Sequence, residues 1–435
     1  MEPWLVTLIL FSSLVTGIAL GFPIAFVLAG IGVIFTFILW GTQALLMLPS
    51  MLYAEGTSFL LIAVPLFVLM ANFLEGSDIA DDLYQAMYYW LGFLPGGLAS
   101  GTVIICAIFA AMAGISGVAT ITMGLIAIPS MLKRNYSKKL ALGTVSAGGA
   151  LGILIPPSII AVIYGSITGT SVGGLFMGGI TPGILLSLFF IAYITLLALI
   201  NPKIAPPLKE KHPLKEKLIL LKGLIFPLGL IILVLGSIYG GIATPTEAAA
   251  IGAFGAMLCC IVRKKFTREL LQTAVWRTFK ITVMAIWIIF GAACFTSIYS
   301  IGGASEFILG LIQGLQVSPI VILIFMLLIW LVLGMFLDPL GMLLITVPVF
   351  VPIATTLGFD TLWFGILFII SSESAYITPP FGFNLFYLKA IAPESVTMWD
   401  IYLSIIPFVF LQLLLMVLVV IFPDIALWIP NMMVK

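Results

Sequence analysis

Two stretches of the sequence place unusual amounts of oxygen inside apolar runs. Gly148-Gly149-Ala150-Leu151-Gly152-Ile153-Leu154-Ile155-Pro156-Pro157-Ser158 and Ser371-Ser372-Glu373-Ser374-Ala375-Tyr376-Ile377-Thr378-Pro379-Pro380 each contain a proline pair. Paired prolines remove two backbone donors and disfavour helix at the residue before them, so a helix entering either stretch must stop. Unwound backbone in lipid survives only where protein, water or an ion satisfies its carbonyls. A desolvated hard cation is one such partner, because it prefers oxygen ligands. The oxygens available are carbonyls, Ser116 and Thr120 in the first half, and Asp338, Ser374 and Thr378 in the second. Asp338 and Glu373 stand deep in apolar sequence and are functional suspects on that ground. Asp338 also precedes Pro339, as the cap of a helix would. No Lys or Arg lies in these stretches, so an anionic substrate must be held by half-helix N-termini, backbone amides and hydroxyls. Ser116, Ser158, Thr378 and Asn384 are the candidate substrate contacts. The plainer alternative is a pair of proline kinks in packed helices.

The elements that position these groups must lie in a membrane. Of 435 residues, 62% are hydrophobic and 8% charged, against roughly a quarter charged in a soluble domain. A helix crosses a hydrocarbon core of about 30 Å with about 20 residues, so roughly a dozen spans fit, and helix-length apolar runs argue against a barrel. Soluble enzymes and nucleic-acid binders are excluded. The 18 Lys and Arg against 17 Asp and Glu leave no basic surface for a polyanion. The single histidine, His212, sits in a charged loop, which argues against haem b and His-ligated zinc in the membrane. Cys106, Cys259, Cys260 and Cys294 lie in apolar runs without metal spacing and read as small apolar filling. No cleavable signal peptide is evident, since the N-terminus lacks a basic region.

Basic residues cluster at 133–139, 203–222, 263–280 and Lys389, with Lys435 at the end, and such loops stay cytoplasmic. Counting crossings between clusters puts both chain ends outside and makes 58–74 descend while 281–298 rises. The first 40 residues form two spans pivoting near Gly21-Phe22-Pro23. Four apolar runs, 98–113, 118–131, 319–333 and 340–352, are 13 to 16 residues long, about 20–24 Å of helix. They suit re-entrant hairpins turning at Gly114-Ile115-Ser116-Gly117 and at Gly334 to Pro339. A shift of 223 residues superposes Pro129, Pro156, Pro157 and Tyr164 on Pro352, Pro379, Pro380 and Tyr387. The expected fold is therefore an all-α polytopic membrane protein, an inverted-repeat transporter with two re-entrant hairpins and two discontinuous helices. Its parts are scaffold spans 1–57, a first copy 58–200 (hairpin 98–131, broken helix 140–168), a cytoplasmic linker 201–222, scaffold spans 223–262, and a second copy 263–435 (hairpin 319–352, broken helix 361–390). Thr244-Pro245-Thr246-Glu247 reads as a capped helix start.

Leu-Ile-Pro-Pro-Ser (154–158), Thr-Pro-Thr-Glu-Ala-Ala-Ala (244–250), Gly-Met-Phe-Leu-Asp (334–338) and Ile-Thr-Pro-Pro-Phe-Gly-Phe-Asn-Leu-Phe (377–386), with the glycine-rich first tip, resemble the large membrane subunit of tripartite ATP-independent periplasmic (TRAP) transporters. The likeness covers nearly the whole chain. It implies sodium-driven import of organic acids (carboxylates) across the bacterial inner membrane, with no cofactor beyond the coupling ions. It also implies a periplasmic substrate-binding protein, a small four-helix membrane subunit and elevator motion. Carried over by position, sodium falls to Ser116, Gly117, Thr120, Gly149, Gly152 and Pro156 in the first copy. In the second it falls to Gly334, Met335, Asp338, Ser374, Ala375 and Thr378. One departure follows Asn72, where relatives often carry basic residues and this chain has Asp78, Asp81 and Asp82. The rival reading is a stand-alone sodium- or proton-coupled anion carrier; an intramembrane enzyme lacks its motifs.

Overall fold

The computed structural model describes residues 2–114, 116–208, 213–314 and 316–433. Ile115 at the first tip, His212 in the linker and Lys435 lie outside the described residues. The described residues form twenty-one α-helices, three short 3-10 turns and no strand. The N-terminal part comprises α1 (Pro3–Ala19), α2 (Ile24–Trp40), α3 (Met47–Gly56), α4 (Ala63–Glu75) and α5 (Ile79–Leu91). Then come α6 (Gly97–Ala113), α7 (Ser116–Lys133), α8 (Lys138–Ala150), α9 (Ile159–Thr168) and α10 (Val172–Ile200). After α11 (Leu214–Leu220), α12 (Ile225–Tyr239) and α13 (Pro245–Val262), the pattern resumes with α14 (Arg268–Ile301) and α15 (Ala304–Gly314). It closes with α16 (Pro319–Gly334), α17 (Pro339–Thr356), α18 (Thr361–Tyr376), α19 (Phe383–Ile391), α20 (Met398–Ile421) and α21 (Asp424–Met432).

Seven described helices are long and apolar enough to cross a membrane, or eight if the bent pair Thr42–Gly56 and Phe59–Glu75 counts as one span. Phe37, Ile232, Phe325 and Phe410 point outward from the bundle, as lipid-facing positions do.

Helix boundaries repeat at the shift read from the prolines. α7 and α17 start at 116 and 339, α8 and α18 at 138 and 361, and α9 and α19 end at 168 and 391. Both proline pairs, Pro156-Pro157 and Pro379-Pro380, are joined by cis peptide bonds. Caps explain several of these starts: Ser137 accepts from Leu140 N, Asp360 from Trp363 N, and Thr244 with Glu247 forms a full capping box on α13.

The hairpin arms run longer than the apolar pattern predicts. α7 and α17 each have 18 residues, about 27 Å of helix. Pro129, Pro348 and Pro352 lie inside helix without ending it, and Ser116 and Pro339 are themselves the first helical residues. Arm length alone therefore does not establish re-entry. The pattern also misses α5, α15 and α21, short helices with one buried face whose length suits a membrane surface rather than a crossing. On α5, Ile79, Leu83 and Ala86 are buried.

Two bundles result. α2 packs on α14 and α4 on α13 and α14, while α8 is enclosed by α6, α7 and α20, and α18 by α16, α17 and α20. The acidic stretch that departs from the family pattern lies at the junction of α4 and α5, and its partners follow α13 or sit on α14. Asp82 meets Arg263 at 2.5 Å, Asp78 pairs with Lys265, and Glu75 takes both contacts of Arg277 at 2.9 and 3.0 Å. The acids thus lie beside the 263–277 basic cluster.

Candidate functional site

Each broken helix sends its second half across to the other copy. α9 packs on α17 of the second hairpin, and α19 packs on α7 of the first. At the first crossing the chemistry is polar. Thr120 donates its hydroxyl to Asn384 Oδ1 at 2.7 Å, and Ser116 does the same at 3.3 Å. Asn384 Nδ2 donates to the carbonyl of Ser146 on α8 at 2.7 Å. Ser116, Thr120, Ser146 and Asn384 are all buried, and Ser146 Oγ and Thr144 Oγ1 have no hydrogen-bond partner among the described residues. Glycines let the helices close: a Cβ on Gly149 would collide with Thr120 Oγ1, and one on Gly117 would lie 3.0 Å from the Tyr387 ring.

The first break, between Ala150 and Ile159, is a series of turns. Gly152 N donates to Gly149 O at 3.3 Å and Ile155 N to Leu151 O at 2.8 Å. Ser158 donates to Ile153 O at 2.7 Å, so its hydroxyl hydrogen is used inside the break. The hairpin tip reaches this segment, because a Cβ on Gly114, which has φ of 65°, would lie 2.5 Å from Pro157 O. α10 backs the break, with a Cβ on Gly179 falling 2.5 Å from Leu154 O and 3.7 Å from Pro156.

The second meeting point is built differently. Gly334 abuts α18, where a Cβ would sit 2.5 Å from that of Ala375. Met335 follows in the turn, its N–H bonded to Val332 O at 3.3 Å. Asp338 is the cap of α17, its Oδ2 accepting from Leu340 N at 3.1 Å and Gly341 N at 3.3 Å. Ser374 and Thr378 donate to helix carbonyls, Ser374 to Ile370 O at 2.9 Å and Thr378 to Ser374 O at 2.6 Å. Phe336 and Phe381 lie against each other beside the turn, with ring centroids 5.6 Å apart.

The structure thus gathers Ser116, Gly117, Thr120, Gly149 and Asn384 at one point, with Gly152, Pro156 and Ser158 in the adjoining break. Gly334 and Ala375 meet at the other, with Met335 and Asp338 in the turn, Ser374 on α18 and Thr378 just past its end. Of the four candidate substrate contacts, Ser116 and Asn384 bond each other, whereas Ser158 and Thr378 each bond their own segment. Glu373 belongs to neither point. It faces α20, where Gln412 Nε2 donates to its Oε1 at 3.3 Å, while Glu373 Oε2 and Gln412 Oε1 have no partner. Sequence reasoning missed Gln412, Thr144 and Ser146. A glutamine midway along a 24-residue apolar helix and two hydroxyls before a glycine pair were the available signals.

The donor set is one of neutral hydroxyl and carbonyl oxygens, with one carboxylate, Asp338, at the second point. Among the described residues no group of three His, Cys, Asp or Glu could hold a metal ion. Such oxygens suit a weakly bound hard cation rather than a transition metal.

Residues 11–425 match the family described as tripartite ATP-independent periplasmic transporter, DctM component. The C4-dicarboxylate TRAP transporter large permease protein DctM of Vibrio cholerae is 32% identical, over 98% of this chain and 97% of that one. The ectoine TRAP transporter large permease protein TeaC of Halomonas elongata is 31% identical, over 98% and 99%. In fold the chain is similar to the YdaH transporter of Alcanivorax borkumensis, with a TM-score of 0.57 at 16% identity over 98% of both chains. With its relatives permeases rather than enzymes and its helices apolar enough to cross a bilayer, the chain belongs to the DctM family of TRAP transporters, as a multi-pass large permease.

Proposed function

We propose that this permease imports a small organic acid across the inner membrane, driven by sodium. A periplasmic binding protein delivers the substrate and a small four-helix subunit flanks the scaffold. The observation that carries the reading is the pair of helix breaks, each met by a hairpin turn and each furnished with neutral oxygen and no cationic side chain. Sodium binds at these points through Ser116, Thr120 and the carbonyls around Gly149, Gly152 and Pro156. In the second copy it binds through Asp338, Thr378 and the carbonyls near Gly334, Met335, Ser374 and Ala375. At least two ions move with each substrate, so that the charge of the anion is offset and the inside-negative potential does not oppose its accumulation. That a curated relative is named for C4-dicarboxylates supports a carboxylate cargo.

The two copies lie inverted in the membrane with both chain ends periplasmic, and the hairpins are re-entrant. The first tip supports this, since Gly114 is packed inside the protein against Pro157 rather than at a surface. The hairpins and broken helices move together as an elevator against α2, α4, α13 and α14.

The test is reconstitution. The permease with its small partner in liposomes should take up almost no free C4-dicarboxylate until the binding protein and an inward sodium gradient are both supplied. Robust uptake by the permease alone, or uptake driven by a pH gradient in sodium-free buffer, would overturn the reading.

A further inference from the structure

We propose that Asn384 is a positioning residue that sets the hydrogen-bond polarity of the first crossing, so that this point accepts a cation and rejects the carboxylate of the substrate. The proposal rests on the sodium-coupled reading above and narrows it. It moves Ser116 and Asn384 out of the set of side chains that touch substrate.

The polarity follows from which atoms have hydrogens to give. The Ser146 carbonyl can only accept, so the Asn384 atom 2.7 Å from it must be the amide nitrogen. That fixes the other amide atom as the oxygen, and it too can only accept. Two hydroxyls lie on it, Thr120 at 2.7 Å and Ser116 at 3.3 Å. At 2.7 Å Thr120 must point its single hydrogen at the amide oxygen, since the opposite orientation would set lone pair against lone pair, and Ser116 makes the longer, weaker contact in the same sense. Thr120 is then left with lone pairs alone for any third group, and Ser116 is biased the same way. Lone pairs attract a cation and repel a carboxylate. Without the amide oxygen, either hydroxyl could turn and donate to an anion.

The placement of Asn384 makes the arrangement rigid. Its amide joins three helices, α7, α8 and α19, within a fully buried site. Gly149 presses against Thr120 Oγ1 from the α8 side, which restricts the hydroxyl oxygen's position. Two further buried hydroxyls, Ser146 Oγ and Thr144 Oγ1, lack partners on the α8 helix that takes the amide hydrogen. At the corresponding place in the other copy, 223 residues earlier, Asn384 is replaced by Ala161, and the counterparts of Ser116 and Thr120 are Pro339 and Leu343. The device occurs once, at the first crossing.

The experiment compares wild type, Asn384→Leu, Asn384→Asp and Thr120→Val in the complete transporter. Two readouts are taken: the sodium-dependent rise in unfolding temperature, and half-saturation for sodium and for C4-dicarboxylate-loaded binding protein in liposome uptake. Asn384→Leu should raise the sodium half-saturation about tenfold, a shift of about 1.4 kcal/mol, with that for loaded binding protein nearly unchanged. Asn384→Asp keeps an acceptor for both hydroxyls but sets a second acceptor against the Ser146 carbonyl, so it should recover part of the sodium response that Asn384→Leu loses. Thr120→Val, which leaves Asn384 in place, should weaken the sodium response as Asn384→Leu does, and stands in if the leucine variant fails to fold. A change confined to substrate half-saturation would overturn the proposal, as would a loss of stability with unaltered sodium response in the folded variants. A wild-type protein whose stability and uptake ignore sodium would remove the underlying reading itself, a result distinguishable from a sodium-responsive wild type with unresponsive variants.

Discussion

The two points where hairpin meets broken helix share a backbone and differ in chemistry. At the first, two hydroxyls from α7 and a carbonyl from α8 converge on one amide from α19. At the second, Ser374 and Thr378 both bond carbonyls of α18, Thr378 from just past its end, and the carboxylate of Asp338 caps α17. Helix starts and ends nevertheless recur at a shift of 223 residues. The proline pairs and tight turns that shape the backbone are retained in both copies, whereas side chains lining the meeting points have diverged. Fold symmetry therefore gives no licence to transfer a ligand from one point to the other.

The largest expected break in this comparison comes from Gly149. A Cβ there would fall on Thr120 Oγ1 and within 2.9 Å of its Cα, so Gly149→Ala overpacks the first crossing by about 3 kcal/mol or more and should reduce sodium-driven uptake steeply. The equivalent position in the other copy is Ser372, which already carries a Cβ, and Ser372→Ala, which removes only a hydroxyl bonded to Phe368 O, should cost about 1 kcal/mol. Thermal unfolding and uptake measured on both variants check the asymmetry; equal damage would mean that the two points are packed alike. A smaller effect is expected beside the second break. Gln412→Leu leaves the buried Glu373 carboxyl without its one hydrogen bond and should cost about 1–3 kcal/mol, read by thermal unfolding. Its counterpart in the first copy, Ala150, has no such partner to lose. The smallest change concerns the cap. Asp338→Ala should lose about 1 kcal/mol, whereas Asp338→Asn, which still caps, should keep stability while raising the sodium concentration for half-maximal uptake. If asparagine leaves that concentration unaltered, the charge of Asp338 serves the helix alone.

Much of this organisation was legible because prolines and charges are blunt signals. Three aligned proline pairs and one tyrosine pair revealed the repeat, and Thr244-Pro245-Thr246-Glu247 announced the capping box on α13. The short helices α5, α15 and α21 were missed because a search for membrane-length runs passes over segments of 9 to 13 residues. The link from Asn384 to Ser116 and Thr120 was illegible for a different reason. A repeat says that two segments fold alike, but not which hairpin the second half of a broken helix will touch. The acidic run at Asp78 to Asp82 looked anomalous in sequence and is explained by partners far along the chain, Arg263 and Lys265.

The crossing of α19 onto α7 also imposes an order on synthesis. Thr120 and its amide partner are 264 residues apart, and at roughly 5–20 residues per second a ribosome needs roughly 13–50 s to cover that distance. Throughout that interval the first hairpin must wait in the bilayer with Ser116, Thr120 and the Ser146 carbonyl still lacking the asparagine that joins them. Chains halted before Asn384 would present an unfinished polar seam within the membrane, the kind of flaw that quality-control proteases can recognise.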